Sequence, residues 1–271
     1  MMTSENGKRK TALVTGAYGG MGTQTVKALV DKGYTVFALD REVGEASENV
    51  IPIKADITDE GSVGEALRVV SENAEKLDAV IHFAGIYMLD SLVEMDAESF
   101  RRILEINLYG AYLVNRAAMP LLSAGSRIII TTSELAPLDP LPFTGIYAVT
   151  KGALDKYAYS LRMELQLVGI SVSVLRAGAV DTGMLGTSTA ALDRFCKKTK
   201  LYTCNADRFK RIVDSVEARH IPAERLARYA VKIVEKRNPR FAYSINRNPL
   251  LILLNFLPKR LQLWIIRLIL K

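Results

Sequence analysis

The chain has 271 residues, 49% of them hydrophobic and 24% charged, which excludes a disordered or collagen-like chain and suits one large domain around one core. Its net charge of +7 is concentrated at one end, since eight basic and no acidic residues follow Glu235. A nucleic-acid binder spreads its cations over a folded surface, so no nucleic-acid partner is expected.

Two cysteines, Cys196 and Cys204, are too few to staple a fold of this size. Neither belongs to a CxxC pair, and His82 and His220 stand far apart, so no metal site is expected. Residues 1–10 are polar and basic. They argue against a secretory signal; the two cysteines suggest a reducing compartment or indifference to redox, and the expected location is cytoplasmic, either free or peripheral on a membrane.

In chain order, short apolar runs alternate with longer helical patterns. A strand is predicted over 11–17 and a helix over 20–31, then strands over 34–40 and 50–56 and a helix over 62–73. A fourth strand over 78–85 precedes helices across 96–120; a fifth over 126–133 precedes a long helix over 147–168 and a sixth strand over 171–180. The fifth strand, RIIITT, is apolar at successive positions, as expected where helices cover both faces of a parallel sheet. The order predicts an α/β fold, a doubly wound, Rossmann-like parallel sheet, as one catalytic domain over 1–247.

From 183 to about 221 the alternation gives way to polar, Thr-rich and charged sequence. This reads as a substrate lid with one or two helices. In it Met184, Leu185, Leu192, Phe195 and Tyr202 either line an apolar pocket or pack the lid on the body. An apolar, basic helical tail occupies 248–271.

The first strand ends in VTGAYGGMG, with Gly16, Gly20 and Gly22. Glycines there allow a tight turn and close approach of a pyrophosphate, and the following helix presents free N–H groups and its positive end. The strand-before, helix-after context is what a dinucleotide site requires. Asp40 closes the second strand, 18 residues beyond Gly22. A carboxylate there accepts from ribose hydroxyls and repels a 2′-phosphate, which favours NAD; Arg41 beside it leaves NADP as the second choice.

YAVTK sets Tyr147 and Lys151 four apart, on one face of the long helix. A free phenol has a pKa of about 10. A nearby ammonium is expected to lower it, so that the pair gives or takes a proton while a hydride moves.

These two motifs resemble the TGxxxGxG and YxxxK of the short-chain dehydrogenase/reductase family of the classical type, over roughly residues 10–245. The resemblance implies Tyr147 as general acid/base, Lys151 as holder of the nicotinamide ribose, and Asn107 in NLYG as anchor of a water in the proton relay. It also implies cofactor contacts from Asp56 with Ile57 beside it, from Ala84 and Gly85, and from Thr182 after the sixth strand with Val180 ahead of it. Tyr18 and Met21 inside the glycine turn complete the set. A homodimer or homotetramer is implied as well.

The sequence departs from the family at three places. The family's NNAG reads His82-Phe83-Ala84-Gly85, with His82 expected as a packed strand-end residue, and its Pro-Gly after the sixth strand reads Ala177-Gly178. The family's serine stands most often 13 residues before the tyrosine, a position held here by Glu134. A hydroxyl can donate to a carbonyl oxygen and an ionised carboxylate cannot, so Ser133 is the expected residue, with Thr132 second.

The tail is broken by Pro258, Lys259 and Arg260, and its longest uninterrupted part, 250–257, is too short to span a bilayer. Arg260, Arg267 and Lys271 form one polar stripe at helical spacing. Such a helix either lies in a membrane interface or is buried against the body or a second subunit, and it can roof the substrate site. SLRMELQLVGISVSV and this tail resemble the hydroxysteroid and retinol dehydrogenase branch. The expected function is therefore NAD(H)-dependent interconversion of a secondary alcohol and a ketone on a lipophilic substrate. The alternatives are a reductase of acyl-chain or other small carbonyls, and a membrane-recruited dinucleotide-binding scaffold without catalysis.

Overall fold

A computed structural model gives the architecture. The structure describes residues 9–217 and 219–271, with side chains throughout except over 183–190 and 214–217. The stretch ahead of residue 9 and the side chains of Met184 and Leu185 thus lie outside the described residues.

The elements run β1 Lys10–Thr15, α1 Gly20–Val30, β2 Tyr34–Asp40, β3 Val50–Lys54, α2 Glu60–Asn73, β4 Ala79–His82, α3 Ala97–Leu104 and α4 Gly110–Ala118. They continue with β5 Arg127–Ser133, α5 Gly145–Leu165, β6 Ser171–Ala177, β7 Val180–Asp181, α6 Gly183–Lys198, α7 Thr203–Glu217 and β8 Ile221–Pro222. The last are α8 Ala223–Val234, β9 Ala242–Ile245, α9 Pro249–Phe256 and α10 Lys259–Leu270. A π-helical turn, Glu105–Tyr109, joins α3 to α4.

Seven strands form one parallel sheet in the order β3-β2-β1-β4-β5-β6-β9, and β7 pairs with β8 apart from it. The central strands are buried on both faces. In β5, Ile128 and Ile130 join the core beneath α2, α4 and α5, while Ile129 joins the opposite core beneath α1 and α8. Each buried isoleucine contributes about 1.5–3 kcal/mol. The strand order turns back at β1 and β4, and the crevice at their carboxyl ends is where such sheets bind ligands.

Several boundaries differ from the sequence reading. β4 stops at His82 rather than at 85, because the Phe83 and Ala84 N–H groups both turn onto the Thr15 carbonyl, at 3.0 and 3.1 Å. α8 and β9 follow the last strand expected from the sequence. The first is amphipathic, burying Leu226, Ala230, Ile233 and Val234. The second is four residues long and buries only Tyr243, too little alternation to be read. The lid holds two helices, α6 and α7. They share a third core with the tail, built on Leu89, Leu192, Phe195, Ala206, Phe209 and Leu270.

Candidate active site

The glycine turn is shaped by sterics. Gly16 has φ +66°, and a Cβ on Gly22 would lie 2.0 Å from the Gly16 carbonyl oxygen; only glycine fits both positions. α1 then starts without a side-chain cap. Its first-turn N–H groups and the positive end of its dipole therefore serve the crevice.

A cavity of about 750 Å³ lies over this turn, with Gly16, Gly20, Met21 and Gly22 along one wall. Asp40, Arg41, Asp56 and Ile57 line a second wall, and Ala84, Gly85 and Thr182 complete it. The Asp40 carboxylate is pinned from two sides, accepting from the Tyr18 N–H at 3.0 Å and the Arg41 N–H at 2.8 Å. Asp56 accepts from the Thr58 N–H at 2.9 Å and its hydroxyl at 2.7 Å, and these bonds hold its carboxyl below the usual range. The Tyr18 ring lies against Gly44 and does not line this cavity, while its N–H donates to Asp40. Val180 lines the adjoining second cavity together with Thr182.

Tyr147 and Lys151 face inward from the first turns of α5. The Lys151 ammonium lies 5.8 Å from the Tyr147 ring centre and donates to the Thr131 carbonyl at 3.3 Å. The sequence-based expectation is a phenol lowered by its ammonium neighbour; in the protein without cofactor, burial is the larger influence. Burial pushes Tyr147 up to about 12, and only a hydrogen bond from Ser133 draws it back. The same burial pushes Lys151 down to about 8, which leaves the ammonium the main form at neutral pH.

Ser133 ends β5 against the tyrosine, its Oγ accepting from the Leu135 N–H at 3.2 Å. Glu134 turns away and accepts the Asn248 N–H at 2.6 Å, and burial raises its carboxyl. Asn107 sits in the π-helical turn. Its amide accepts from the Ile86 N–H at 2.8 Å and donates to the Ile86 carbonyl at 2.9 Å and the Thr150 hydroxyl at 3.1 Å. Thr150 donates in turn to the Tyr147 carbonyl at 2.8 Å. The amide thus ties the strand-end loop to the tyrosine's own turn.

The second cavity, about 540 Å³, shares Met21, Phe83, Gly85, Ile86, Tyr87 and Thr182 with the first. Tyr147, Lys151, Ser133 and Glu134 stand at its polar end. Its remaining wall is mostly apolar: Leu135 and Leu141 from the body, Phe209, Ile212 and Val213 from α7, and Leu251, Leu254, Ile265 and Ile266 from the tail. Leu192, Phe195 and Tyr202 pack inside the lid around Phe143 and do not line the cavity. One helix further on, α7 supplies the lining instead. Sequence reasoning missed Thr150, Tyr87, which meets Tyr147 edge-on at 4.7 Å, and the α7 residues. Only the helical spacing of Phe209, Ile212 and Val213 offered a signal.

The cradle without Cβ atoms, the uncapped helix and the pinned carboxylate fit a nicotinamide dinucleotide. Among the described residues no His/Cys/Asp/Glu group could hold a metal ion.

The family model for short chain dehydrogenase matches residues 10–193. Estradiol 17-beta-dehydrogenase 2 of Mus musculus is 31% identical over 191 residues, 66% of this chain and 50% of that protein, so the match spans half the relative's length. The 3-ketodihydrosphingosine reductase of Bacteroides thetaiotaomicron is 24% identical over 234 residues, 86% of each chain. In structure, the 3-ketoacyl-(acyl-carrier-protein) reductase from Brucella melitensis, complexed with NADH, superposes with a TM-score of 0.71 at 22% identity, covering 87% of this chain and 96% of that one. The chain belongs to the short-chain dehydrogenase family, oxidoreductases that act on CH–OH groups with a nicotinamide dinucleotide.

Proposed function

We propose that the chain interconverts a secondary alcohol and a ketone on a lipophilic substrate with NAD(H), a hydroxysteroid or retinoid-like alcohol being the favoured class. The observation that carries this reading is the meeting of the two cavities beside Tyr147, one walled by glycines and carboxylates, the other by aliphatic side chains.

The nicotinamide, when bound, accepts or supplies the hydride. Tyr147 holds its proton well past neutrality and is the acid that a carbonyl oxygen requires in reduction. The Ser133 hydroxyl donates to the same oxygen. Lys151 steadies the ribose side and supplies positive charge as the phenol gives up its proton. Asn107 and Thr150 keep that turn in place. Asp40, held by two N–H groups, accepts from ribose hydroxyls and opposes a 2′-phosphate, which supports NAD over NADP.

The names of the mouse and Bacteroides relatives refer to lipophilic substrates, which supports an apolar substrate here. A second reading, an acyl-chain ketone, is supported by the match to the 3-ketodihydrosphingosine reductase over 86% of each chain and by the long aliphatic wall.

Turnover of NADH and NADPH against steroids, retinoids and long-chain ketones tests the proposal. The expected result is turnover with NADH preferred. Tyr147→Phe should lower kcat by about 10²–10⁴-fold while NADH binding, followed by nicotinamide fluorescence, stays unchanged. NADH binding without turnover of any substrate would leave the scaffold reading standing.

A further inference from the structure

The two C-terminal helices are apolar on both sides. Their inner side, with Leu251, Leu254, Ile265 and Ile266, walls the second cavity. It is held on the body by the Asp139 N–H donating to the Asn255 Oδ1 at 2.7 Å, Asn205 donating to the Leu270 carbonyl at 2.6 Å, and a Lys259–Asp139 ion pair. Their outer side is bare: Phe256 is 82% exposed, Leu263 67%, Leu268 65% and Trp264 58%. Leu250, Leu253 and Ile269 are both exposed and cavity-lining, so the apolar surface runs unbroken from the outer face over the rim into the cavity. Monomeric proteins seldom leave such a patch open unless it meets a partner.

Charge selects the partner. Arg260, Arg267 and Lys271 are exposed around this patch, and no acidic residue follows Glu235. A second copy would bring like charge against like charge, whereas an anionic surface neutralises it. Length selects the mode of contact. Among the described residues no helix is long and apolar enough to cross a membrane. α9 and α10, with 8 and 12 residues, rise only about 12 and 18 Å at 1.5 Å per residue, against a hydrocarbon core of about 30 Å.

We propose that α9 and α10 dock the protein flat on an anionic lipid bilayer. Phe256, Leu263, Trp264 and Leu268 enter the headgroup–acyl boundary, and Arg260, Arg267 and Lys271 lie among the headgroup phosphates. The cavity rim then faces lipid. Docking stands without the reading of the substrate as lipophilic; passage of substrate from bilayer to cavity rests on it.

Trp264 is the sole tryptophan of the chain, so its fluorescence reports this surface alone. The full chain is mixed with vesicles of phosphatidylcholine, with or without phosphatidylglycerol, and followed by Trp264 emission and by flotation. The expected result is a blue shift and flotation with the mixed vesicles, with affinity at least about tenfold above that for phosphatidylcholine alone. Arg260→Glu with Arg267→Glu should remove that preference. Phe256→Ser with Leu263→Ser should weaken binding to both vesicle types, with the melting temperature unchanged. Equal affinity for the two vesicle types, or no shift with either, overturns the proposal. So does a blue shift that grows with protein concentration and doubled mass in the absence of lipid, which assigns the face to a second copy.

Discussion

Around the first cavity, position is set by backbone. Gly16 and Gly22 are where they are because a Cβ would collide, and Asp40 is aimed by two N–H groups. Around the second, position is set by bulk. Leucines and isoleucines from α7, α9 and α10 close the wall, and few hydrogen bonds direct them. Such side chains exchange for one another at little cost as long as volume and hydrophobicity are kept. The first site should therefore respond sharply to single atoms and protons, and the second in proportion to apolar area lost.

The largest expected effect of a single proton is at His82, under the crevice. Its Nε2 lies 2.9 Å from the Asn115 Oδ1, whose amide donates to the Tyr157 hydroxyl at 3.2 Å. Burial pushes the His82 pKa down to about 4 from the ordinary 6.5. Between those values the unfolded chain binds the proton and the folded chain does not. Stability is therefore complete above pH 6.5 and is lost as pH falls toward 4. At 1.36 kcal/mol per unit, the loss is about 2 kcal/mol at pH 5 and about 3 kcal/mol at pH 4. Urea unfolding of the wild type and His82→Asn at pH 7.5 and pH 5 checks this: the wild type should lose about 2 kcal/mol more than the variant. Parallel losses would place the acid sensitivity elsewhere.

A single carbon is the next probe. In Gly22→Ala the new methyl meets the Gly16 carbonyl, and the turn must open. Overpacking costs about 1–3 kcal/mol. Expressed at the cradle, that is about a 10–100-fold rise in the NADH Kd. Fluorescence titration reads it, and an unchanged Kd would mean that the turn yields freely and that backbone does not set this site.

The same contrast explains what was legible. The glycine turn, Asp40, Tyr147 and Lys151 were readable because steric exclusion or proton chemistry leaves few alternatives at those positions, whereas Asn107 was reached only through the family resemblance. The isoleucine run of β5 was readable because burial on both faces favours apolar side chains at consecutive positions. The family's spacing brought Ser133 and Glu134 into question and donor chemistry separated them; the Glu134 carboxylate accepts the Asn248 N–H. The α7 lining was not legible, because Phe209, Ile212 and Val213 look like any buried helix face until α7 has a neighbour. The direction of the Tyr147 shift was also out of reach. It depends on how completely α5, the lid and the tail exclude water, and no local spacing encodes that.

The smallest expected effect falls on the apolar side. Leu254 lines the cavity from α9, and Phe256, two residues on, points outward and is absent from the wall. Leu254→Ala removes three carbons of contact at about 0.8 kcal/mol per buried CH₂, partly recovered by relaxation of the neighbouring leucines. KM for a long aliphatic or steroidal ketone should rise about tenfold, with kcat little changed, because the contact is as good in the ground state as in the transition state. A short ketone that stays at the Tyr147 end should show no difference, and neither should Phe256→Ala with either substrate. If Leu254→Ala instead lowers kcat for the short ketone, the tail is positioning the reacting groups. The apolar pocket would then be as finely set as the crevice beside it.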